Sequence, residues 1–335
     1  MTIDGEKVEA RLRGVWPGVE VGLPTPLTGG FWATMFRVPV SGQPEGVADE
    51  VVVRAAPHRS MGAKEAEVQR AIAAQGFPTP AIHVSCPDEE SGGWWSVMDF
   101  VPAAPLLDGL DGLAALRRAP ALARTLPVQL AQATAALHRL APAPVAAAVR
   151  EAAPEVAFTP DALLEQFRAG AGVVGREDLA AALGRLAATA PAPIPAADVV
   201  CHGDLHPFNV LDRDGELVVV DWTGAILADP CVDVAFTELL LANPPLALPG
   251  PLATIGRGVG RLLARRFVTA YAAANPGAAM ANLGWYRALH SARVLLEVAN
   301  RRVAHGPGAG GHPFTLVAPA AAANLAAATG VDVVH

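Results

Sequence analysis

No C-x-x-C pair joins the three cysteines, Cys86, Cys201 and Cys231, which stand far apart in a chain of 335 residues. Such spacing speaks against a disulfide framework and for reduced packing residues, the expectation for a cytoplasmic protein. Positive charge is also scarce. With 25 Lys and Arg against 32 Asp and Glu the formal net charge is -7, so an extended phosphate-neutralising surface is not expected and nucleic acid is not an expected partner. No continuous apolar segment opens the chain, whose first residues read MTIDGEKVEARLRG, and the apolar stretch from Thr315 to Val334 is interrupted by Pro319, Asn324 and Asp332. Neither a signal peptide nor a membrane span is expected. Regular repeats and long charged tails are missing as well. The patterns G-x-x-x-x-G-K-[ST], G-x-S-x-G and H-E-x-x-H do not occur, which removes the Walker A site, the serine-hydrolase elbow and the zinc metalloprotease helix. His202 and His206 are four residues apart, but Gly203 and Pro207 make a zinc-binding helix there doubtful.

What is present reads as two lobes, each long enough to bury a core. In the first hundred residues the β-prone runs Phe36 to Val40, Glu50 to Ala55 and Trp94 to Phe100 surround a helical pattern from Ala63 to Gln75, closed by Gly76 and Pro78. After Pro102 helices are expected over 121–140, 161–171, 177–189, 255–273 and 285–302, with Pro142 and Pro144 read as a stop. A β-rich interruption at Val199 to Trp222 contains the turn Asp214-Gly215. The expectation is an α+β fold with a β-rich N-terminal lobe, residues 1–101, and a larger mainly helical C-terminal lobe, residues 102–335.

The chemistry concentrates in that interruption. HGDLHPFN runs from His202 to Asn209, and twelve residues later VVVD ends at Asp221. Asp204 can accept the proton of a substrate hydroxyl, while the Asn209 side-chain oxygen and the Asp221 carboxylate can bind magnesium. Magnesium would offset nucleotide phosphate charge, and strand ends would place these groups rigidly, which matters because phosphoryl transfer depends on positioning and electrostatics. Turn caps are the competing structural roles for Asn209 and Asp221.

These segments resemble the aminoglycoside and macrolide phosphotransferase superfamily, with HGDLHPFNVL and VVVDWTGAILADPCVDVA as the most specific parts, in ordered segments over most of residues 25 to 240. The resemblance implies a bilobal protein-kinase-like fold, Asp204 as catalytic base or hydroxyl-orienting residue, and Asn209 and Asp221 as Mg2+ ligands. His202 is expected to support the loop. Gly29 and Gly30 in PLTGGFWA could bring backbone donors to nucleotide phosphates. Arg54 stands where kinase-like folds most often have a phosphate-binding lysine, and its fork is not equivalent to an ammonium group. Glu65 is similar to the helix glutamate that pairs with that basic residue, with Glu67 a competitor for the role. Backbone groups at Asp99, Phe100 and Val101 could read a purine edge. Asp229 and Asp233 could orient the catalytic loop, and Trp222 and Thr223 replace the last two residues of D-F-G.

The implied activity is transfer of the γ-phosphoryl group of ATP or GTP to a hydroxyl-bearing small molecule, be it a sugar, a related metabolite, an aminoglycoside or a macrolide. Antibiotic resistance is one biological setting that would fit. A noncatalytic nucleotide-binding kinase-like module is the alternative from a different class.

Overall fold

The computed structural model describes residues 4–27, 33–107, 112–192, 198–245, 250–306 and 312–335. The pair Gly29 and Gly30 lies outside the described residues. In chain order the elements are α1 (Gly5–Val15), β1 (Glu20–Val21), β2 (Thr25–Leu27), β3 (Thr34–Ser41), β4 (Glu50–Ala56), α2 (Arg59–Ala73), β5 (Ile82–Asp88), β6 (Gly93–Asp99) and β7 (Ala104–Pro105). There follow α3 (Gly112–Leu137), α4 (Pro142–Ala152), α5 (Pro160–Val173), α6 (Glu177–Ala188), β8 (Val199–Cys201), β9 (Val210–Arg213) and β10 (Glu216–Val219). The chain ends with β11 (Ile226–Ala228), α7 (Cys231–Ala242), α8 (Gly250–Ala274), α9 (Leu283–His305) and α10 (Phe314–Thr329). This is the expected α+β fold, an antiparallel sheet early and helices later.

Two compact units emerge, and neither is continuous in sequence. The first comprises Met1–Leu106, Ala141–Val156 and Asn209–Ala225; the second comprises Leu107–Leu140, Ala157–Phe208 and Ile226–His335. Pro142, read in the sequence as a helix stop, opens α4 at its first turn, where the missing amide costs nothing because that position has no intrahelical partner. α4 packs on α2 in the first unit.

In the first unit the antiparallel order is β1-β3-β4-β6-β5. Side chains alternate across β4. Val51 and Val53 join Val8, Leu12, Trp16, Val38, Trp95 and Val97 in a core closed by α1. Arg54 has the opposite parity and meets α2, which is how a guanidinium comes to be 7 % exposed on a central strand. α2 lies close to the sheet at Gly62, where an added Cβ would approach Trp94 to 2.4 Å. Asp214 and Gly215 both have positive φ, 52° and 93°, and close the β9–β10 hairpin with the backbone that a two-residue Asp-Gly turn requires.

The second unit is mainly helical. Thr159 caps α5 by accepting from the Ala162 amide, and Pro160 fills the first position. α7 packs on α8 and α9, and α10 on α9, around a core containing Phe236, Leu289, Leu295, Val317 and Leu325. β8 pairs with β11, Cys201 opposite Ile226. Among the described residues no helix is long and apolar enough to cross a membrane.

One buried histidine sets an acid limit. His290 on α9 is 2 % exposed, and its Nε2 lies 2.9 Å from the Val232 carbonyl, so Nε2 carries the proton. Burial first, then the Arg293 charge, pushes its pKa down to about 4. The unfolded chain takes up this proton near pH 6.5 and the folded one only near 4, so stability is fully present above 6.5 and falls as pH drops through that window. The expected loss between pH 7 and pH 5 is about 2 kcal/mol from this residue. Urea unfolding at the two pH values checks it: His290→Gln should show a shallower pH dependence than the native chain.

Candidate active site

In the first unit four side chains form a closed polar cluster. Arg54 on β4 directs Nε at Glu65 of α2, 3.1 Å from Oε1 and 3.2 Å from Oε2. Its Nη2 donates to Thr223 Oγ1 at 3.0 Å and lies 3.3 Å from Asp221 Oδ1. The Thr223 hydroxyl is 2.8 Å from Asp221 Oδ1 and 3.2 Å from Glu65 Oε2. Having one proton, it can donate to only one of these carboxylates at a time. Burial works against the guanidinium's charge, yet Glu65 and then Asp221 outweigh it, and the Arg54 pKa stays above its ordinary value. For Glu65 burial pushes the carboxyl up, with Arg54 opposing. Glu67, the sequence competitor, instead pairs with Arg70 at 2.6 Å.

Asp221 follows β10 at φ 66° and ψ 74°, a left-handed backbone that is uncommon for a residue other than glycine and concentrates at functional positions. The short 3₁₀ turn after it is anchored by fully buried Trp222, whose Nε1 donates to Thr79 Oγ1 at 3.0 Å and whose ring meets Phe77 edge-on at 5.9 Å. The hairpin ladder sets Asn209 beside this turn: Val219 faces Val210, and the Val220 amide donates to the Asn209 carbonyl at 3.0 Å. Asn209 is 8 % exposed, while the Asp221 side chain is 36 % exposed. A carboxylate and an amide oxygen at one end of a hairpin are hard donors, the type magnesium takes. The donor set therefore fits that ion.

The segment Asp99, Phe100 and Val101 ends β6. The Asp99 amide donates to Ala81 and the Phe100 amide to Glu50, each at 3.0 Å, while the Val101 carbonyl accepts from Ala103 at 2.8 Å. The Asp99 carboxylate sits 2.6 Å from His83 Nε2. A small cavity in this unit is lined by Arg54, Glu65, Gln69, Trp94, Ser96 and Met98.

In the second unit the loop after β8 is pinned from two helices. Asp233 on α7 is fully buried; its Oδ2 accepts from the His202 amide at 2.8 Å and its Oδ1 from the Gly203 amide at 2.7 Å. Behind it stands His138, with Nε2 3.0 Å from Asp233 Oδ2 and Nδ1 2.7 Å from the Tyr271 hydroxyl. Burial alone would raise the Asp233 carboxyl, but His138 and the loop amides hold it below its ordinary value. His202 Nδ1 accepts from the Asp204 amide at 3.2 Å, and Thr237 donates to the Leu205 carbonyl at 2.7 Å. From α9, Arg293 donates to the Gly203 carbonyl at 2.7 Å and to Asp204 Oδ1 at 2.9 Å. His206 Nε2 lies 3.7 Å from Asp204 Oδ2.

His138, Cys201 and Asp233 come close enough to be compared with a metal site. Both His138 nitrogens and both Asp233 oxygens already have the partners named above. The cluster is a hydrogen-bonded brace. Asp229 is likewise structural in its contacts, accepting from the Cys231 amide at 2.8 Å and from Asn282 at 2.7 Å.

Sequence reasoning missed Thr223 and His138 in these clusters. Thr223 carried a signal in its place two residues after Asp221. His138 carried none, standing just past the end of α3 and 95 residues from Asp233.

The chain matches the phosphotransferase enzyme family over residues 25–278. Among solved structures it is similar to a candidate aminoglycoside phosphotransferase from Ralstonia eutropha JMP134, at 18% identity and a TM-score of 0.66, covering 98% of this chain and 99% of that one. A spectinomycin phosphotransferase solved with ADP and spectinomycin gives 13% identity and a TM-score of 0.57, covering 97% of this chain and 99% of that one. A macrolide 2'-phosphotransferase from Brachybacterium faecium gives 20% identity and a TM-score of 0.54, covering 95% and 97%. No curated protein matches the chain.

Proposed function

Since the chain belongs to the phosphotransferase enzyme family, we propose that it transfers the γ-phosphoryl group of ATP or GTP to a hydroxyl of a small molecule, with Asp204 as base. The observation that carries this reading is the loop bearing Asp204, whose backbone is fixed by Asp233, His202, Thr237 and Arg293. So many constraints on a short loop are what a reaction dependent on positioning requires. The hydroxyl gives its proton to the Asp204 carboxylate as its oxygen bonds to the γ-phosphorus. The bond from phosphorus to the β–γ bridging oxygen breaks, and the nucleoside diphosphate leaves with that oxygen.

Asn209 and Asp221 would hold Mg2+, which when bound offsets the charge of the phosphates. Arg54 donates to a phosphate oxygen, oriented by Glu65; Asp99, Phe100 and Val101 are the segment proposed to face the base, and Gly29 and Gly30 the loop proposed over the phosphates. A nucleotide donor is consistent with ADP in the spectinomycin phosphotransferase. The division of labour between residues 1–101 and 102–335, and a cytoplasmic location, belong to the same proposal.

Glu65→Gln keeps the shape of the side chain but removes the charge that orients Arg54. It should raise the KM for nucleotide by about tenfold with a smaller effect on kcat, because an interaction shared by ground and transition states is weakened. Steady-state kinetics at saturating acceptor check this, and unchanged kinetics would reject the role. Calorimetry tests the metal assignment separately: Mg2+ should strengthen ATP binding in the native chain and have little effect in Asp221→Asn.

A further inference from the structure

Arg54 meets the two carboxylates of its cluster with different nitrogens. Its Nε faces Glu65, 3.1 Å from Oε1, and its Nη1 lies 3.4 Å from the sulfur of Met35, the residue opposite it on β3. Its Nη2 is shared between Thr223 Oγ1 at 3.0 Å and Asp221 Oδ1 at 3.3 Å. A lysine ammonium is a single point of charge, whereas the arginine fork serves both carboxylates at once. The Arg54 and Glu65 side chains are each 8 % exposed and that of Asp221 36 %, so only the Asp221 end of the cluster opens to solvent.

Two cations thus have a claim on one carboxylate. Magnesium takes carboxylate oxygens, and Asp221 Oδ1 already has the guanidinium beside it, with the Thr223 hydroxyl 2.8 Å from the same oxygen. Glu65 and Thr223 hold Arg54 in place, and a fixed, buried positive charge at this distance opposes the approach of a divalent ion. A phosphate oxygen on Nη2 reverses the balance: it accepts the N–H now directed at Asp221 and adds negative charge next to that carboxylate.

Resting on Asp221 as a metal ligand in the proposed transfer, we propose that Arg54 makes metal binding conditional on the nucleotide: its Nη2 engages Asp221 until a phosphate takes it, so the metal binds well only together with the nucleoside triphosphate. The device depends on the fork, and it gives the arginine in this place a role that a phosphate-binding lysine lacks.

The test is binding of Mn2+, as a probe for Mg2+, to the nucleotide-free protein, followed by the electron paramagnetic resonance of the free ion. The native chain should bind Mn2+ weakly, and Arg54→Gln about tenfold more tightly. Because Arg54→Gln leaves the Glu65 carboxylate buried without its partner, Arg54→Gln combined with Glu65→Gln, which keeps the net charge of the cluster, is measured beside it and should also bind more tightly than the native chain. Circular dichroism identifies the variants that are folded. In calorimetry, the gain in affinity for a nonhydrolysable ATP analogue on adding Mn2+ should shrink in the variants by a similar factor. A merely structural arginine would not move either reading. Equal or weaker Mn2+ binding in the folded variants overturns the inference, and the metal assignment stands if Asp221→Asn abolishes Mn2+ binding in the presence of the analogue. If that binding survives in Asp221→Asn, both fall.

Discussion

Asp204→Asn should lower kcat by about three orders of magnitude while the protein stays folded. The amide keeps the shape of the carboxylate, and its oxygen can still accept from Arg293 Nη2, which donates to Asp204 Oδ1 at 2.9 Å. Arg293 also keeps its bonds to Glu297 and to the Gly203 carbonyl, so the loop retains its anchors. What disappears is the group able to take the hydroxyl proton and the negative charge that orients it. Acceptor KM should change far less than kcat, since the loss falls on the transition state. Kinetics with an acceptor that the native chain phosphorylates, paired with circular dichroism of the variant, check both halves of this expectation. A variant that kept native kcat would remove Asp204 from its assigned role.

Asp233→Ala should destabilise the second unit by about 3–5 kcal/mol. The carboxylate is fully buried and accepts from the His202 and Gly203 amides, with His138 Nε2 3.0 Å away. Truncation leaves two backbone donors and an imidazole in a dry interior without their acceptor, and the cost is their unrecovered desolvation. Because the carboxyl is held below its ordinary pKa, its contribution is present above the unfolded value near 4 and is lost as pH falls through the folded value. Urea unfolding at pH 7 measures the loss. Activity should collapse together with stability, because the released amides belong to the two residues that precede Asp204.

The placing of Asn209 and Asp221 was legible in the sequence because its signals are local: Asn209 precedes β9 and Asp221 follows β10, with Asp214-Gly215 as a visible turn between the two strands. Helices α5, α6, α8 and α9 were legible for a similar reason, their apolar periodicity being interrupted by clear breakers. What supports the site was not. His138 and Asp233 are 95 residues apart, and Arg293 and Asp204 are 89 apart, distances over which one sequence carries no pairing signal. Pro142 shows a different ambiguity, since proline both ends one helix and opens the next. Arg54 was readable as a strand residue, but its burial depended on a partner helix whose register left Glu67 a close competitor to Glu65 until α2 was set against β6 through Gly62.

The central claim is that this chain transfers a phosphoryl group rather than only binding a nucleotide. Its most direct test is to incubate the native chain and Asp204→Asn with Mg2+, ATP or GTP and a broad set of hydroxyl compounds, and to quantify both the nucleoside diphosphate and the phosphorylated acceptor. Equal amounts of the two products, dependent on Mg2+ and lost in Asp204→Asn, are the predicted result. Tight nucleotide binding with no phosphorylated acceptor across the whole set would contradict it and identify a kinase-like binding module instead.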